Sequence, residues 1–430
     1  MEIPVKGSQQ PKFEWLKSKN VGSKLKRHLP LLPFATAHIL MFQLWFGTGN
    51  TVYFGHASNI FQGYPPYWNS VLEYPPLSLI ALLPPRLFGG DIWQYGRFFS
   101  YEMLLLDLVA LLLVASLARR LGRSQWKTLA VYTAGLAVIG SLASQRYDLL
   151  PAVLVLWAFY AFSRQSYVLC WAVLALGAMA KLYPAILVPL LCIYHIHRQD
   201  YSGLVKGAAT FAAVIVVTIL PWVILSPHGL WQSFAYHTSR GLQIESTYAS
   251  ALMVAENLGW ISIGVEYSYG SWNLISSLAD TLAKASTPIM LLSMVGVYLL
   301  YALRLRRRGR AVGDNGIDHT VGSQEMLAYW GLAILVLLVT NRVLSPQFLI
   351  WLLPLVPLIG ARRYWFTWLL FISIAGMTLY IFPTSYNDLL DMKPLQVGVL
   401  ACRNLLLVLL AYLAFRWRRI PSLTPTRSHG

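Results

Sequence analysis

Charged residues are scarce in this chain: Asp, Glu, Lys and Arg make up only 12% of its 430 residues, about half of the roughly 25% typical of soluble domains. Hydrophobic residues account for 57%, and the mean hydropathy is +0.54. So few polar residues cannot cover a soluble core of this size, which excludes a soluble enzyme and a disordered chain. Long apolar runs in place of period-two alternation argue against a transmembrane barrel. We predict an all-α, polytopic integral membrane protein.

Motifs of soluble chemistry are also missing. The three cysteines, Cys170, Cys192 and Cys402, each lie inside an apolar stretch, so neither disulfides nor a cysteine metal site is expected. The sequence contains no P-loop, no glycine-rich dinucleotide pattern, no HExxH and no CxxC. We therefore expect no cofactor and no metal, and a substrate that is delivered within the membrane.

Apolar runs divide the chain into membrane spans and connecting segments. They predict one transmembrane domain at 29–415, between a basic N-terminal segment at 1–28 and a tail at 416–430. About twelve spans are expected, several of them shorter than the roughly 20 residues that a span usually needs. They lie at 29–47, 97–118, 127–142, 150–163, 166–179, 182–197, 207–225, 286–303, 326–341, 345–360, 364–382 and 395–415.

The distribution of Lys and Arg predicts the orientation of these spans. With both termini in the cytoplasm, 25 of the 34 Lys and Arg residues fall on the cytoplasmic side, in line with the positive-inside bias. The proline-framed stretch 75–89 then lies along or re-enters the outer surface. Two long segments, 48–96 and 226–285, face the outside. Because irregular sequence is concentrated on that face, we expect the functional site there.

The first outer segment is rigid and aromatic. Tyr-Pro-Pro elements begin at Tyr64 and Tyr74, and each proline restricts the backbone. Glu73 is the only acid between Ser23 and Phe88, which makes it the leading candidate for a general base. A brace that accepts backbone N–H groups is the alternative for Glu73, and an aromatic belt at the membrane interface is the alternative for the tyrosines.

Further candidates are spread over the outer face. Glu245 and Asp148 are the next acids considered for the base. Four cations are candidates for binding a phosphate, namely Arg240, Lys181, Arg342 and Arg146. Residues expected at a sugar or acceptor pocket are Asn50, His56, Tyr64, Tyr67, Tyr74, His237, Gln243 and Gln347. The alternative for each cation taken alone is a snorkelling or helix-end charge, and the alternative for the stretch around Arg240 is an interfacial amphipathic helix.

Two acids, Glu102 and Asp107, fall inside the predicted span 97–118. Because a buried charge in a membrane is costly, we expect each to have a partner, such as Arg403, or to face a polar cavity.

Four sequence stretches together resemble glycosyltransferase family 87, over about residues 35–415. They are GYPPYWNSVLEYPPL in the first outer segment, SQRYDLLPA with AKLYPAILVPLL, RGLQIES, and NRVLSPQFLIWLLP. The resemblance implies a bacterial polytopic enzyme of the type-C glycosyltransferase fold in the cell membrane. It implies transfer of a hexose, usually mannose, from a polyprenyl-phosphate carrier to a lipid or glycan acceptor on the outer face, with inversion at the sugar.

One departure from that family bears on the base. Such enzymes usually carry an acid early in the first outer segment, whereas this chain has Asn50 and Thr51 there and Asn69 further on. Glu73 is the expected replacement. A transporter or flippase of lipid-linked sugars, and a non-catalytic binder of them, are the alternatives. Charges clustered on one face and the absence of a clear inverted repeat favour the enzyme.

Overall fold

The computed structural model describes residues 30–45, 47, 50–68, 72–312, 319–359 and 365–416. The predicted N-terminal segment 1–28 and, apart from Arg416, the predicted tail 416–430 lie outside these residues.

Helices make up most of the described chain. The α-helices are α1 Leu31–Leu44, α2 Thr51–Phe61, α3 Leu79–Leu82, α4 Pro84–Phe88, α5 Ile92–Arg120, α6 Gln125–Ile139, α7 Leu142–Gln145, α8 Leu149–Ser163, α9 Tyr167–Ala180, α10 Val188–His197, α11 Tyr201–Leu225, α12 Pro227–Thr238, α13 Thr247–Asn257, α14 Ser277–Val312, α15 His319–Thr340, α16 Val356–Ile359, α17 Trp365–Leu379, α18 Tyr386–Leu390 and α19 Pro394–Arg416. Three 3-10 helices, Pro76–Ser78, Tyr183–Leu187 and Pro346–Trp351, and a π-helical segment, Tyr380–Thr384, complete the helical elements.

Six helices of the described chain are long and apolar enough to cross a membrane. At a rise of 1.5 Å per residue, about 20 residues span the hydrocarbon layer. The spans are Ile92–Arg120, Tyr201–Leu225, Ser277–Arg307, Gly322–Thr340, Trp365–Thr384 and Pro394–Arg416. This arrangement is that of an all-α, multi-pass membrane protein.

The other predicted spans are shorter or interrupted in the structure. α1, α6, α8, α9 and α10 have 10–15 residues each, too few to cross the layer upright. The predicted span 345–360 is not one helix, because Pro346, Pro354 and Pro357 interrupt it: a 3-10 helix and a turn precede the four-residue α16. A proline removes a backbone donor and clashes with the preceding turn, which explains the break.

The described residues of the two long outer segments form regular elements. In the first segment, α2 is followed by the 3-10 helix Pro76–Ser78 and then by α3 and α4. The proline-framed stretch therefore forms short helices rather than a span. The side chain of Asn50 caps α2 by accepting from the backbone N–H groups of Val52 and Tyr53. The cap satisfies two N–H groups that the first turn of a helix leaves unpaired.

The second outer segment contains the only β-sheet of the described chain, an exception to the all-α prediction. β1 is Leu242–Gln243, β2 is Gly264–Ser268 and β3 is Ser271–Ile275. β3 lies in the middle and pairs antiparallel with both neighbours, with Val265 opposite Leu274 and Leu242 opposite the same Leu274. Tyr269 and Gly270 link β2 to β3 with φ values of 50° and 66°, as in the tight two-residue turn that suits twisted strands.

The intramembrane acid Asp107 has partners other than the expected one. His38 on α1 pairs with Asp107, and the Tyr132 hydroxyl donates to it at 2.6 Å. All three side chains are buried. The suggestion of Arg403 as the partner is therefore wrong, because Arg403 contacts Glu245 instead.

Candidate active site

A cavity of about 880 Å³ lies where the two outer segments meet the ends of the membrane helices. Its walls come from the loop around Glu73, from the β2–β3 hairpin, and from the residues that follow α7, α9, α12 and α15. Apolar side chains from deeper in the bundle, Ile186, Met290 and Leu337, also reach it. The cavity therefore joins a polar outer part to an apolar part inside the membrane helices.

Glu73 lies in the wall of this cavity. Its segment is held from two sides: the Nε2 atom of His237 donates to the carbonyl of Glu73 at 2.8 Å, and the hydroxyl of Tyr67 donates to the carbonyl of Tyr74 at 2.6 Å. The Glu73 carboxylate lies near the hydroxyls of Tyr74 and Tyr236. Burial raises the pKa of both hydroxyls, and the negative charge of Glu73 adds to the effect. Both tyrosines therefore stay protonated and able to donate.

All four candidate cations line the same cavity, although they come from four separate parts of the chain. The Nε atoms of Arg146 and Arg240 are buried and have no hydrogen-bond partner in the described residues. Burial and the neighbouring charge of Arg240 lower the pKa of Arg342. Buried donors without a protein partner, next to a second positive charge, are the arrangement expected of a site that takes an anion.

Lys181 is held in one position by Asp148 and a group of aromatic rings. Its Nζ atom donates to Oδ1 of Asp148 at 2.7 Å and lies 5.0–5.5 Å from the ring centres of Tyr147, Phe348 and Trp351. The indole N–H of Trp351 donates to the same Asp148 oxygen at 2.7 Å. Asp148 is fully buried and lies behind Lys181, outside the cavity lining.

Glu245 occupies another wall of the cavity. It is 1% exposed, and Nη2 of Arg403 contacts its carboxylate at 3.5 Å and its carbonyl at 3.1 Å. Burial raises the pKa of Glu245 to about 7, and the charge of Arg403 limits the rise. Removing either partner would leave the other buried and uncompensated, which is costly.

Comparison with known families agrees with the resemblance in the sequence. Residues 72–317, more than half of the chain, match the model of glycosyltransferase family 87. The chain belongs to this family. A search of curated proteins finds no match. The matched range begins at Leu72 and includes Glu73, Arg240 and Glu245, whereas Arg342 lies beyond it.

This glycosyltransferase places most of the predicted pocket residues around the cavity. The lining contains Asn50, His56, Tyr74, His237, Gln243 and Gln347. Tyr64 and Tyr67 lie outside it: Tyr64 is exposed, and Tyr67 is buried against Trp222. The side chain of Gln243 accepts from the backbone N–H of Leu344 at 2.6 Å, which fixes the segment that carries Arg342.

Aromatic residues form a part of the cavity wall that sequence reasoning missed. The lining includes Tyr147, Tyr183, Tyr236, Tyr267, Trp272, Phe348, Trp351 and Tyr386. Tyr183 stacks on Trp351 with ring centres 4.0 Å apart and planes 5° from parallel. In the sequence, the only indication was that these aromatic residues fall in or next to segments predicted to face the outside, and an aromatic belt at the membrane interface gives the same pattern. No group of three or more His, Cys, Asp or Glu residues suited to a metal occurs in the part of the chain that the structure describes.

Proposed function

We propose that this glycosyltransferase moves a hexose, mannose being the first candidate, from a polyprenyl-phosphate carrier to a lipid or glycan acceptor. The transfer takes place on the non-cytoplasmic face of a bacterial inner membrane. The observation that carries this proposal is the lining of one cavity by Arg146, Lys181, Arg240 and Arg342 together with Glu73. The cations bind the phosphate of the donor, and the carboxylate of Glu73 accepts the proton of the acceptor hydroxyl.

The proposed reaction is a single displacement at the anomeric carbon. Glu73 takes the proton of the acceptor hydroxyl, whose oxygen forms the new bond to that carbon. The bond between the anomeric carbon and the phosphate oxygen breaks, and its electron pair leaves with polyprenyl phosphate. The cations stabilise the negative charge that develops on this oxygen. Attack opposite the leaving group inverts the configuration, and holding both substrates in line provides much of the acceleration.

Asp148 acts in this proposal as a positioning residue. Its accepting oxygen is occupied by Lys181 and Trp351, and the side chain is fully buried. It therefore orients Lys181 toward the donor phosphate and does not meet the acceptor. Glu245 remains the second candidate for the base because it reaches the cavity.

The carrier lipid accounts for the apolar part of the cavity. Ile186, Met290 and Leu337 come from membrane helices or from the 3-10 helix before α10. A nucleotide-sugar donor would not need such a surface, whereas a prenyl chain would lie against it.

The test is turnover by the purified full-length protein with a panel of polyprenyl-phosphate hexoses, a panel of acceptors and nucleotide sugars as the control donors. We expect release of polyprenyl phosphate and formation of a glycosylated acceptor with the lipid-linked donors alone. Turnover with nucleotide sugars but not with lipid-linked sugars would contradict the proposal that the donor is carried by polyprenyl phosphate. Movement of intact donor across proteoliposomes without release would indicate a flippase.

The proposed orientation predicts which cysteines an impermeant thiol reagent reaches in intact cells. In a background without the three native cysteines, Asn59→Cys and Glu266→Cys should react, because both positions are exposed and lie in the outer segments. Lys127→Cys, exposed in the first turn of α6 on the opposite side, should react only after permeabilisation. The reverse pattern would overturn the orientation.

A further inference from the structure

A second cavity, of about 580 Å³, lies between α14 and α19 at the other end of the bundle. α14 contributes Ser286 to the active-site cavity and Arg304 to this groove. With 1.5 Å of rise per residue, these positions are about 27 Å apart along the helix. The groove between α14 and α19 therefore lies at the membrane surface opposite the active site.

The groove combines an apolar wall with basic side chains. On α14 the lining residues are Leu300, Leu303, Arg304 and Arg307, and on α19 they are Tyr412, Phe415 and Arg416. Spacings of three and four residues put each set on one face of its helix. Leu303 is 47% exposed and Phe415 is 41% exposed, so the apolar wall is open to the lipid around the protein.

The positive charge of the groove is only partly compensated. Nε of Arg304 pairs with the carboxylate of Glu325 at 3.1 Å. Nη1 of Arg416 donates to the hydroxyl of Tyr412 at 3.3 Å, a contact that leaves its charge in place. Among the described residues, no ion pair involves Arg307 or Arg416. Two positive charges therefore remain at the rim.

The two arginines lie at the depth of lipid headgroups. A cluster of arginines that includes Arg307 begins directly after the apolar run 288–303 of α14, and Arg416 directly follows the apolar run 405–415 of α19. Arginines at span ends meet the phosphate layer, and basic grooves between membrane helices are suited to anionic headgroups.

We propose that the groove binds one anionic glycerophospholipid, with its phosphate between Arg307 and Arg416 and its acyl chains against Leu300, Leu303 and Phe415. A soluble phosphate would make no use of the apolar wall. A zwitterionic lipid brings its own cation next to the two arginines, which disfavours it. The site is separate from the donor cavity and does not depend on the proposed reaction.

Native mass spectrometry of the full-length protein in detergent tests this assignment. Phosphatidylglycerol and phosphatidylcholine with the same acyl chains are titrated separately, and glycerol phosphate is added as a headgroup without chains. The groove variant is the double substitution Arg307→Gln and Arg416→Gln. Its matched control, Arg164→Gln and Arg198→Gln, removes two charges from exposed helix ends on the same membrane side. Melting temperatures in detergent alone verify that both variants fold.

We expect one phosphatidylglycerol to be retained in preference to phosphatidylcholine, and its apparent affinity to fall about tenfold or more in the groove variant. The control variant should keep the affinity of the natural protein, and glycerol phosphate should not compete at equal concentration. Equal retention of both lipids, or an equal loss of affinity in the control variant, would overturn the proposal, because the two arginines would then act only as ordinary charges at the membrane interface. Competition by glycerol phosphate alone would overturn the role of the apolar wall.

Discussion

Glu73→Gln should lower turnover by on the order of 10²–10⁴-fold, the range that general bases contribute. Glutamine keeps the shape of the side chain and can still accept from the hydroxyls of Tyr74 and Tyr236, but it cannot take the proton of the acceptor. Because the carbonyl of Glu73, and not its carboxylate, holds His237, the loop should stay in place. The measurement is release of polyprenyl phosphate at saturating donor, together with donor binding.

Glu266→Gln is the matched control for this variant. Glu266 is an exposed carboxylate on β2, outside the lining of the cavity, so its loss should leave turnover unchanged. Normal turnover of Glu73→Gln would transfer the role of base to Glu245. Unfolding of Glu73→Gln without a specific effect on rate would support a structural brace.

Asn50 provides a second comparison, because the resemblance to the family implies an acid early in the first outer segment, where this chain has Asn50 and Thr51. Its side chain caps α2 and lines the cavity, and aspartate would cap the helix equally well. The double variant Asn50→Asp with Glu73→Gln tests whether a carboxylate at the cap can replace the missing base. We expect partial recovery of turnover, since both positions face the same cavity. No recovery would show that a carboxylate at residue 50 does not replace the one at residue 73.

The fold class follows from composition, but the path of the chain within the membrane does not. Long apolar runs identify the six long spans because a helix must satisfy its own backbone in lipid. The length of an apolar run wrongly predicts a span at 345–360, where three prolines break the apolar stretch into short pieces. Apolar runs also do not predict the hairpin of β2 and β3, because its ten strand residues lie in an outer segment with little apolar periodicity. The main indication of this hairpin in the sequence is Gly270 at the turn.

The site was only partly accessible to sequence reasoning. Arg146 and Arg342 are far apart in the chain, and only the packing of α7, α8 and α15 brings them to one cavity. Glu73, Glu245 and Asp148 are equal candidates by residue type. They differ in exposure and in partners, because Asp148 holds Lys181 whereas Glu245 is held by Arg403. Burial and pairing of this kind depend on tertiary structure.

Arg240→Gln should lower kcat/KM by about 10²–10³-fold, the cost of removing one donor to a developing negative charge. Both a higher KM for the donor and a lower kcat are expected, since the phosphate is bound in the ground state and gains charge as it leaves. Arg97→Gln, which removes an exposed arginine near the N-terminal end of α5, is the control with the same change in charge. Equal effects of the two variants would mean that long-range attraction, and not a bound phosphate, explains the loss.

A double-mutant cycle between Arg240 and Arg342 tests whether both bind the same phosphate. The two guanidinium groups lie close enough for the charge of Arg240 to lower the pKa of Arg342. Nη2 of Arg342 also donates to the carbonyl of His237 at 3.2 Å, so it shares a support with the Glu73 loop. If one phosphate contacts both arginines, removing the second arginine should lower kcat/KM much less when the first has already been removed. We expect the free-energy changes in kcat/KM to depart from additivity by more than about 0.5 kcal/mol, the limit for independent sites. Additive losses would assign the two arginines to different parts of the substrates.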